Sequence, residues 1–390
     1  MDLESFLLGA VYYYGLFIGL STFEFDWNTG RVFTSKWSTL YPIATDSCIF
    51  ILYMYHWTGN INIANGIFSK ASLLHEYVVI IITGLKILTG LFTLIHRWYQ
   101  RGEMMDLAAK VIRMFMARPQ VKRMSRWGIL TKFISGSLTD ALQMAIFLNT
   151  MSRVDPQSFL GLGLQYWMSA ILNIAMVQQY MIILFIRTQF QLLNTELRQV
   201  VEEARELQLN PRHQGVFMTR CCSLADQLEN IARVQSQLQT IVSQLEKAFA
   251  IRGALIYGGY YLSSVGNSYM AYSILKHGYE NMNMTLSTVI LVFLWCFFYY
   301  LDGMLNLRVM LDIQDDYREM MQILAERTLF VGLDVRLEEA FECLNLQLIR
   351  NPLEIKVAEL YSVTRSTTMA MFGNLITHSI FLIQYDMEHY

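Results

Sequence analysis

Long apolar runs alternate with polar, charged stretches along this chain. The runs cover residues 6–23, 37–57, 73–96, 128–149, 159–193, 248–275, 286–307 and 369–385. As helices, the six central runs reach across a hydrocarbon core of ~30 Å, for which ~20 residues suffice. The last run measures ~25 Å as a helix, and residues 366–368 can extend it. The first run, with Tyr12, Tyr13 and Tyr14, either spans fully or lies re-entrant in the interface, where tyrosine favours the headgroup level. It has no basic start and no small-residue cleavage site, so it does not read as a signal peptide. The expected fold class is all-α, a polytopic membrane protein with seven transmembrane helices counted from 37–57 onward.

The polar stretches are patterned too. Residues 195–208 are charged and helical in pattern, ending before Asn210-Pro211. Beyond them Leu224, Leu228, Ile231, Leu238, Ile241 and Leu245 mark one face at near-heptad spacing. This helix is expected to run into the span at 248–275 without a break. Residues 310–324 and 333–348 read as two more amphipathic helices. The expected divisions are an N-terminal segment at 1–36, spans one to four at 37–193, and a cytoplasmic helical segment at 194–247. Spans five and six follow at 248–307, a helical anchor at 308–365, and the last helix with a short tail at 366–390. The cytoplasmic helices either form a bundle within one subunit or an anchor where subunits meet.

Charge orients the spans. Residues 97–126 carry eight basic side chains, and a short loop so basic is cytoplasmic by the positive-inside rule. The loop after span three holds one arginine, Arg153, and 276–285 holds one lysine, Lys276. The latter loop also contains the sequon Asn283-Met284-Thr285, which is meaningful only on the outer side, so Asn283 is the expected glycosylation site. Residues 308–365 carry seven basic groups and return to the cytoplasm. The chain therefore reads with a cytoplasmic N-terminus and an extracellular C-terminus. That is inverted relative to G-protein-coupled receptors, and their Asp-Arg-Tyr and Asn-Pro-x-x-Tyr motifs are missing.

Composition agrees with one membrane domain. Of the 390 residues, 54% are hydrophobic, 13% aromatic and only 16% charged. A net charge of −2 gives no reason to expect nucleic acid as a partner. None of the five cysteines falls in a segment placed outside, so no disulfide framework is implied.

The last span carries the most information. Asn374, Thr377, His378, Phe381, Gln384 and Tyr385 recur every three or four residues and share one helical face. Leu375, Ile376, Ile380, Leu382 and Ile383 form the other. Such a helix either lines an aqueous path or packs its polar stripe within its own subunit. The run Thr377 to Tyr385 resembles the signature that closes the last helix of insect gustatory receptors, Thr-Tyr, five mostly apolar residues, then Gln-Phe. Thr377 and Gln384 match at the required spacing, while His378 stands for the Tyr and Tyr385 for the Phe. The ending also resembles that of a dipteran branch assigned to bitter taste.

The resemblance implies a ligand-gated, non-selective cation channel in the plasma membrane of gustatory neuron dendrites. It implies a homo- or hetero-tetramer with other gustatory receptors, the four copies of the last helix lining the pore. Phe381, Gln384 and Tyr385 would form the gate, with Asn374, Thr377 and His378 along the same path. The expected partners are a small-molecule tastant and the lipid bilayer, with no nucleic acid. The alternative is a metabotropic or obligate heteromeric subunit that does not conduct alone. Asp386 and Glu388, placed in the tail, would concentrate cations at the mouth.

Outer-half aromatic and small polar groups suit a small amphipathic ligand. The candidates are Gln143, Phe147, Trp167, Tyr261, Ser264, Asn267 and Trp295, although such residues also simply face lipid or fill a bundle. Charges within spans need partners or water. Asp46 and Lys86 lie at similar depth on spans one and two and are expected to form a structural ion pair. Lys132 is expected to snorkel, and Arg187, Arg252 and Asp302 to reach water at the inner ends. Asp140, near mid-membrane, either faces a ligand cavity or bonds to Ser or Gln groups nearby. No catalytic or metal-ligand constellation and no phosphate loop is found. Neither an enzyme nor a cofactor is expected.

Overall fold

The computed structural model describes residues 3–26, 29–58, 73–151, 159–209, 214–278, 284–326, 334–357 and 361–389. Asn283 lies outside them. Ten helices account for nearly all of the described chain: α1 (Leu3–Phe17), α2 (Trp37–Thr58), α3 (Leu73–Tyr99), α4 (Arg101–Ala117), α5 (Pro119–Met151), α6 (Phe159–Leu209), α7 (Gln214–His277), α8 (Leu286–Glu326), α9 (Val335–Arg350) and α10 (Arg365–His389). Two short antiparallel hairpins join them, β1 (Glu24–Phe25) with β2 (Val32–Phe33) and β3 (Lys356–Val357) with β4 (Tyr361–Ser362).

Helix boundaries follow local chemistry. Ser35 and Ser38 cap the start of α2 reciprocally, each hydroxyl accepting from the other's backbone N–H, at 2.9 and 3.1 Å. Pro42 lies two turns further on, early in the helix. Pro119 occupies the first turn of α5, where a missing N–H is harmless. The Asp334 side chain accepts from the Arg336 backbone N–H at 3.0 Å to start α9. Gly19, with φ of +90°, turns the chain after α1, and its Cα faces Thr45 closely.

Three helices, within α3, α6 and α8, are long and apolar enough to cross a membrane by length and composition alone. The other expected spans, within α2, α5, α7 and α10, carry more polar groups. α1 has 15 residues and so measures only ~22 Å. The stretch 97–126, expected as a loop, is almost wholly helical, because α4 and the start of α5 occupy it.

Helices α6, α7 and α8 contain 51, 64 and 41 residues and run unbroken from the apolar bundle into a polar one. The expected divisions at 193/194, 247/248 and 307/308 therefore fall inside continuous helices, and residues 310–324 are the lower part of α8. The polar bundle has a dry core. All six of the near-heptad positions on α7 are buried, from Leu224 to Leu245, against Leu337, Phe341, Leu344 and Leu348 of α9 and Met320 and Ile323 of α8. Tyr317 closes this core, its hydroxyl donating to the carbonyls of Leu348 and Asn351 at 2.7 and 2.9 Å. Burial pushes the nearby Asp316 carboxyl up to about 6, with Arg187 pulling the other way. The repeating face on α7 is thus filled within one chain.

Removing the Phe341 ring, which has no solvent exposure, should cost ~3–5 kcal/mol. Phe341→Ala is expected to lower the detergent-solubilised melting temperature by several degrees. Leu346→Ala, at an exposed position of the same helix, should leave it within error.

Candidate functional site

Five helices meet around a small cavity of about 50 Å³. Lys86 and Thr89 come from α3, Gln143 from α5, Asn173 from α6, Tyr260 from α7, and Trp295 and Tyr299 from α8. The α3–α7 wall is drawn close at Gly266, where any Cβ would run into Ile82. One side of the cavity is a continuous stack. The Lys86 ammonium lies 5.0 Å from the centre of the Trp295 ring, Trp295 stacks on Tyr299 at 5.0 Å, and Tyr299 stacks on Tyr260 at 4.4 Å.

Tyr260 also lines a second, larger cavity of about 550 Å³ between α7, α8 and α10. Tyr261, Ser264 and Asn267 face this one, with Tyr300 and Cys296 opposite and Met371 and Leu375 of α10 closing it. Asn267 donates to the Tyr300 hydroxyl at 2.7 Å. The structure therefore divides the expected ligand residues. Gln143 and Trp295 line the inner cavity, and Tyr261, Ser264 and Asn267 the one behind α10. Phe147 instead stacks on Tyr166 at 5.9 Å, and Trp167 packs against Phe17 at 6.1 Å. Lys86, Tyr260 and Tyr299 complete the inner site. The period of α8 could have signalled Tyr299, four residues after Trp295 and one turn along the same face.

The expected Asp46–Lys86 pair does not form. Asp46 pairs with Arg97 and also accepts from Trp98 Nε1 at 2.8 Å, while Arg97 donates to the Gly19 carbonyl as well. A guanidinium fork can serve a carboxylate and a carbonyl together, which an ammonium does poorly. Lys86, three turns earlier on α3, turns inward to the Trp295 face. Lys132 does not snorkel and Asp302 does not reach water: they pair at 2.5 Å, with exposures of 0% and 1%, and Ser135 donates to Asp302 at 2.6 Å. Arg252 is also buried rather than wet. Arg187 bonds Asp312 at 3.0 Å. Asp140 is held by Tyr14 at 2.8 Å and Asn173 at 2.7 Å and lines a further cavity between α1, α5 and α6. Both donors differ from the Ser or Gln groups expected.

α10 is packed on a narrow stripe. Ser379 and Asp386 are buried, and Leu375, Leu382 and Ile383 half-buried. Asn374, Thr377, Phe381, Gln384 and Tyr385 are exposed on the single chain, as are Ile376 and Ile380, expected on the packed face. Polar bonds at two residues of α10, His378 and Asp386, tie it to α7. Tyr261 bonds His378 Nδ1, and Asp386 is locked by Tyr269 and Lys276, each at 2.9 Å. Asp386 is therefore not in a solvated tail. It belongs to the helix, with no solvent exposure, because a cation and a phenol from α7 meet it there.

With this geometry in hand, the comparisons identify the class. The chain matches the 7tm chemosensory receptor family over residues 8–389. Gustatory receptor 36c of Drosophila melanogaster is 77% identical and gustatory receptor 36a of the same species 45% identical, each aligned over 100% of both chains. The chain belongs to the insect gustatory receptors of this family, and is a membrane chemoreceptor rather than an enzyme. The fold is similar to that of the olfactory receptor OR5 of Machilis hrabei, with a TM-score of 0.63 at 13% identity over 98% of this chain and 100% of that one. A structure of OR5 with eugenol gives 0.54 over the same coverage.

The Lys132–Asp302 pair gives a separable prediction. Lys132→Met alone leaves a buried carboxylate and should cost ~3–5 kcal/mol, whereas Lys132→Met with Asp302→Leu should recover most of it. Melting temperature and surface delivery of the three proteins measure this.

Proposed function

We propose that this receptor is a ligand-gated cation channel of taste neurons, opened by a small amphipathic tastant bound in the cavity of Lys86, Gln143, Tyr260, Trp295 and Tyr299. The observation that carries the proposal is the stack from Lys86 to Tyr260. It borders the small cavity at one end, and at the other it adjoins Tyr261, which holds His378 of α10. A volume of about 50 Å³ admits water but no organic ligand, since ligand pockets usually offer ~300 Å³ or more. A ligand therefore has to push α7 and α8 apart, and Tyr260 carries that movement into the space behind α10. Eugenol on OR5 supports an aromatic, weakly polar ligand class. The sequence ending supports a bitter one.

In this proposal the N-terminus is cytoplasmic, α10 ends outside, and Asn283 is glycosylated. Four chains, of this or related receptors, place α10 around an axis. The exposed stripe of Asn374, Thr377, Phe381, Gln384 and Tyr385 then faces the path. Phe381 and Tyr385 close it by dewetting, and Gln384 bonds across chains when shut and to water when open. His378, exposed on the same stripe, also bonds Tyr261 and so links the path to α7. The anchor residues 194–247 and 308–365 assemble the chains through faces left free, such as that of Ile349 of α9, more than half exposed.

The test is electrical. The receptor is expressed alone in cells that lack insect receptors, and currents are recorded under blocked G-protein signalling with a panel of plant alkaloids. A ligand-evoked cation current is expected, with basal or evoked amplitude altered by Gln384→Ala at equal surface delivery. Trp295→Ala should raise the half-activating concentration roughly tenfold or more through loss of one stacking wall. Unchanged currents in Gln384→Ala would remove the gate from this position. Silence from well-delivered protein would assign the chain to an obligate heteromeric assembly.

A further inference from the structure

A third cavity, of about 420 Å³, lies where the membrane bundle meets the anchor. α1 and the first hairpin form one wall, α4 another and α6 the floor. Its walls are mainly apolar, with Phe25, Phe115, Met116 and Phe185 prominent. Three cations line it, Arg97, Lys122 and Arg252, and no carboxylate does so among the described residues.

The three cations are not equivalent. Arg97 is neutralised by Asp46, and Lys122 donates to Ser5 Oγ at 2.8 Å. Arg252 is 5% exposed, and its Nε and Nη2 are shut off from water with no hydrogen-bond partner. Its guanidinium lies 3.9 Å from the centre of the Phe249 ring. A ring face helps a desolvated cation by about 2 kcal/mol or somewhat more, against the several kcal/mol that burying an ion costs. An anion in the cavity would supply the missing contribution.

We infer that this cavity is a lipid site, in which the phosphate of an anionic phospholipid from the leaflet beside the anchor sits on Arg252 while an acyl chain lies along the aromatic wall of α4 and α6. The position supports this. Arg252 comes five residues after the expected end of the anchor segment of α7, at the depth of a headgroup. A planar guanidinium whose Nε and Nη2 donors are unbonded suits a phosphate oxygen pair once the side chain turns toward the cavity, and the apolar walls favour an attached chain over a free ion. Because the site touches α1, α4, α6 and α7 together, its occupancy would brace the N-terminal segment against the rods that carry the anchor.

The experiment uses the purified full-length receptor in phosphatidylcholine vesicles, with and without about a fifth of the lipid as phosphatidylserine. Melting temperature is followed, and retained lipid is identified by native mass spectrometry. The expected result is a higher melting temperature with phosphatidylserine and retained anionic lipid on the unaltered protein. Arg252→Gln should weaken lipid retention roughly tenfold or more, the loss of a charge-assisted contact. Ala108→Phe, which fills the cavity from α4 and leaves Arg252 intact, should abolish the lipid-dependent shift. An equal shift from inorganic phosphate added to phosphatidylcholine vesicles would overturn the lipid in favour of a free anion. An undiminished phosphatidylserine shift in Ala108→Phe, or no anionic lipid retained by the unaltered protein, would overturn the site itself.

Discussion

Three helices that cross from hydrocarbon to water without a break impose the main constraint on this molecule. α7 alone has 64 residues and a length of ~95 Å. A helix this long bends only gently unless a proline, a bulge or an inserted side chain interrupts it, and none of the five prolines lies within α6, α7 or α8. The upper half of α7 forms the wall of both the inner cavity and the cavity behind α10, while its lower half is zipped to α9 by a dry row of leucines. Movement at the cavity must therefore pivot about that row or bend the helix between them. The packed polar bundle is the stiff end of each of these three helices.

Much of this was legible in the sequence because hydrophobic periodicity is a local signal. Seven of the eight apolar runs lie within separate helices, the first runs past the end of α1 at Phe17, and the near-heptad positions on α7 are all buried. The signature around Thr377 and Gln384 agrees with the family that the whole chain belongs to. What the sequence did not yield was partner choice. Asp46 and Lys86 share a depth, yet depth does not say which way a side chain turns about its helix. Arg97 prevails because its fork reaches Asp46 and the Gly19 carbonyl together. Lys132 and Asp302 are separated by 170 positions, and nothing short of the packing of α5 on α8 brings them together.

Asp386 shows the same limit at a chain end. Near a terminus, an acidic residue followed by Met and Glu reads as a solvated tail. Lys276 and Tyr269 convert it into the last packed turn of α10, so this helix is held at its far end as well as at His378. Between those two points Phe381 and Gln384 are exposed, and Tyr385 stacks only on His389 of its own helix. A helix pinned at intervals along one side and free on the other is suited to being turned by its neighbours while keeping its register.

The smallness of the inner cavity has a consequence for sensitivity. A receptor whose binding-competent form must first be opened has an apparent dissociation constant equal to the intrinsic one divided by the open fraction. If the open form is populated at about one part in a hundred, a contact surface worth micromolar binding responds only near ~100 µM. If the tastant binds there as proposed, the detection threshold is set by how tightly Tyr260, Tyr299 and Trp295 hold the walls together, as much as by what the ligand touches. Relaxed packing in that stack would make the same cavity respond to traces, and tightened packing would reserve it for concentrations met on contact with food.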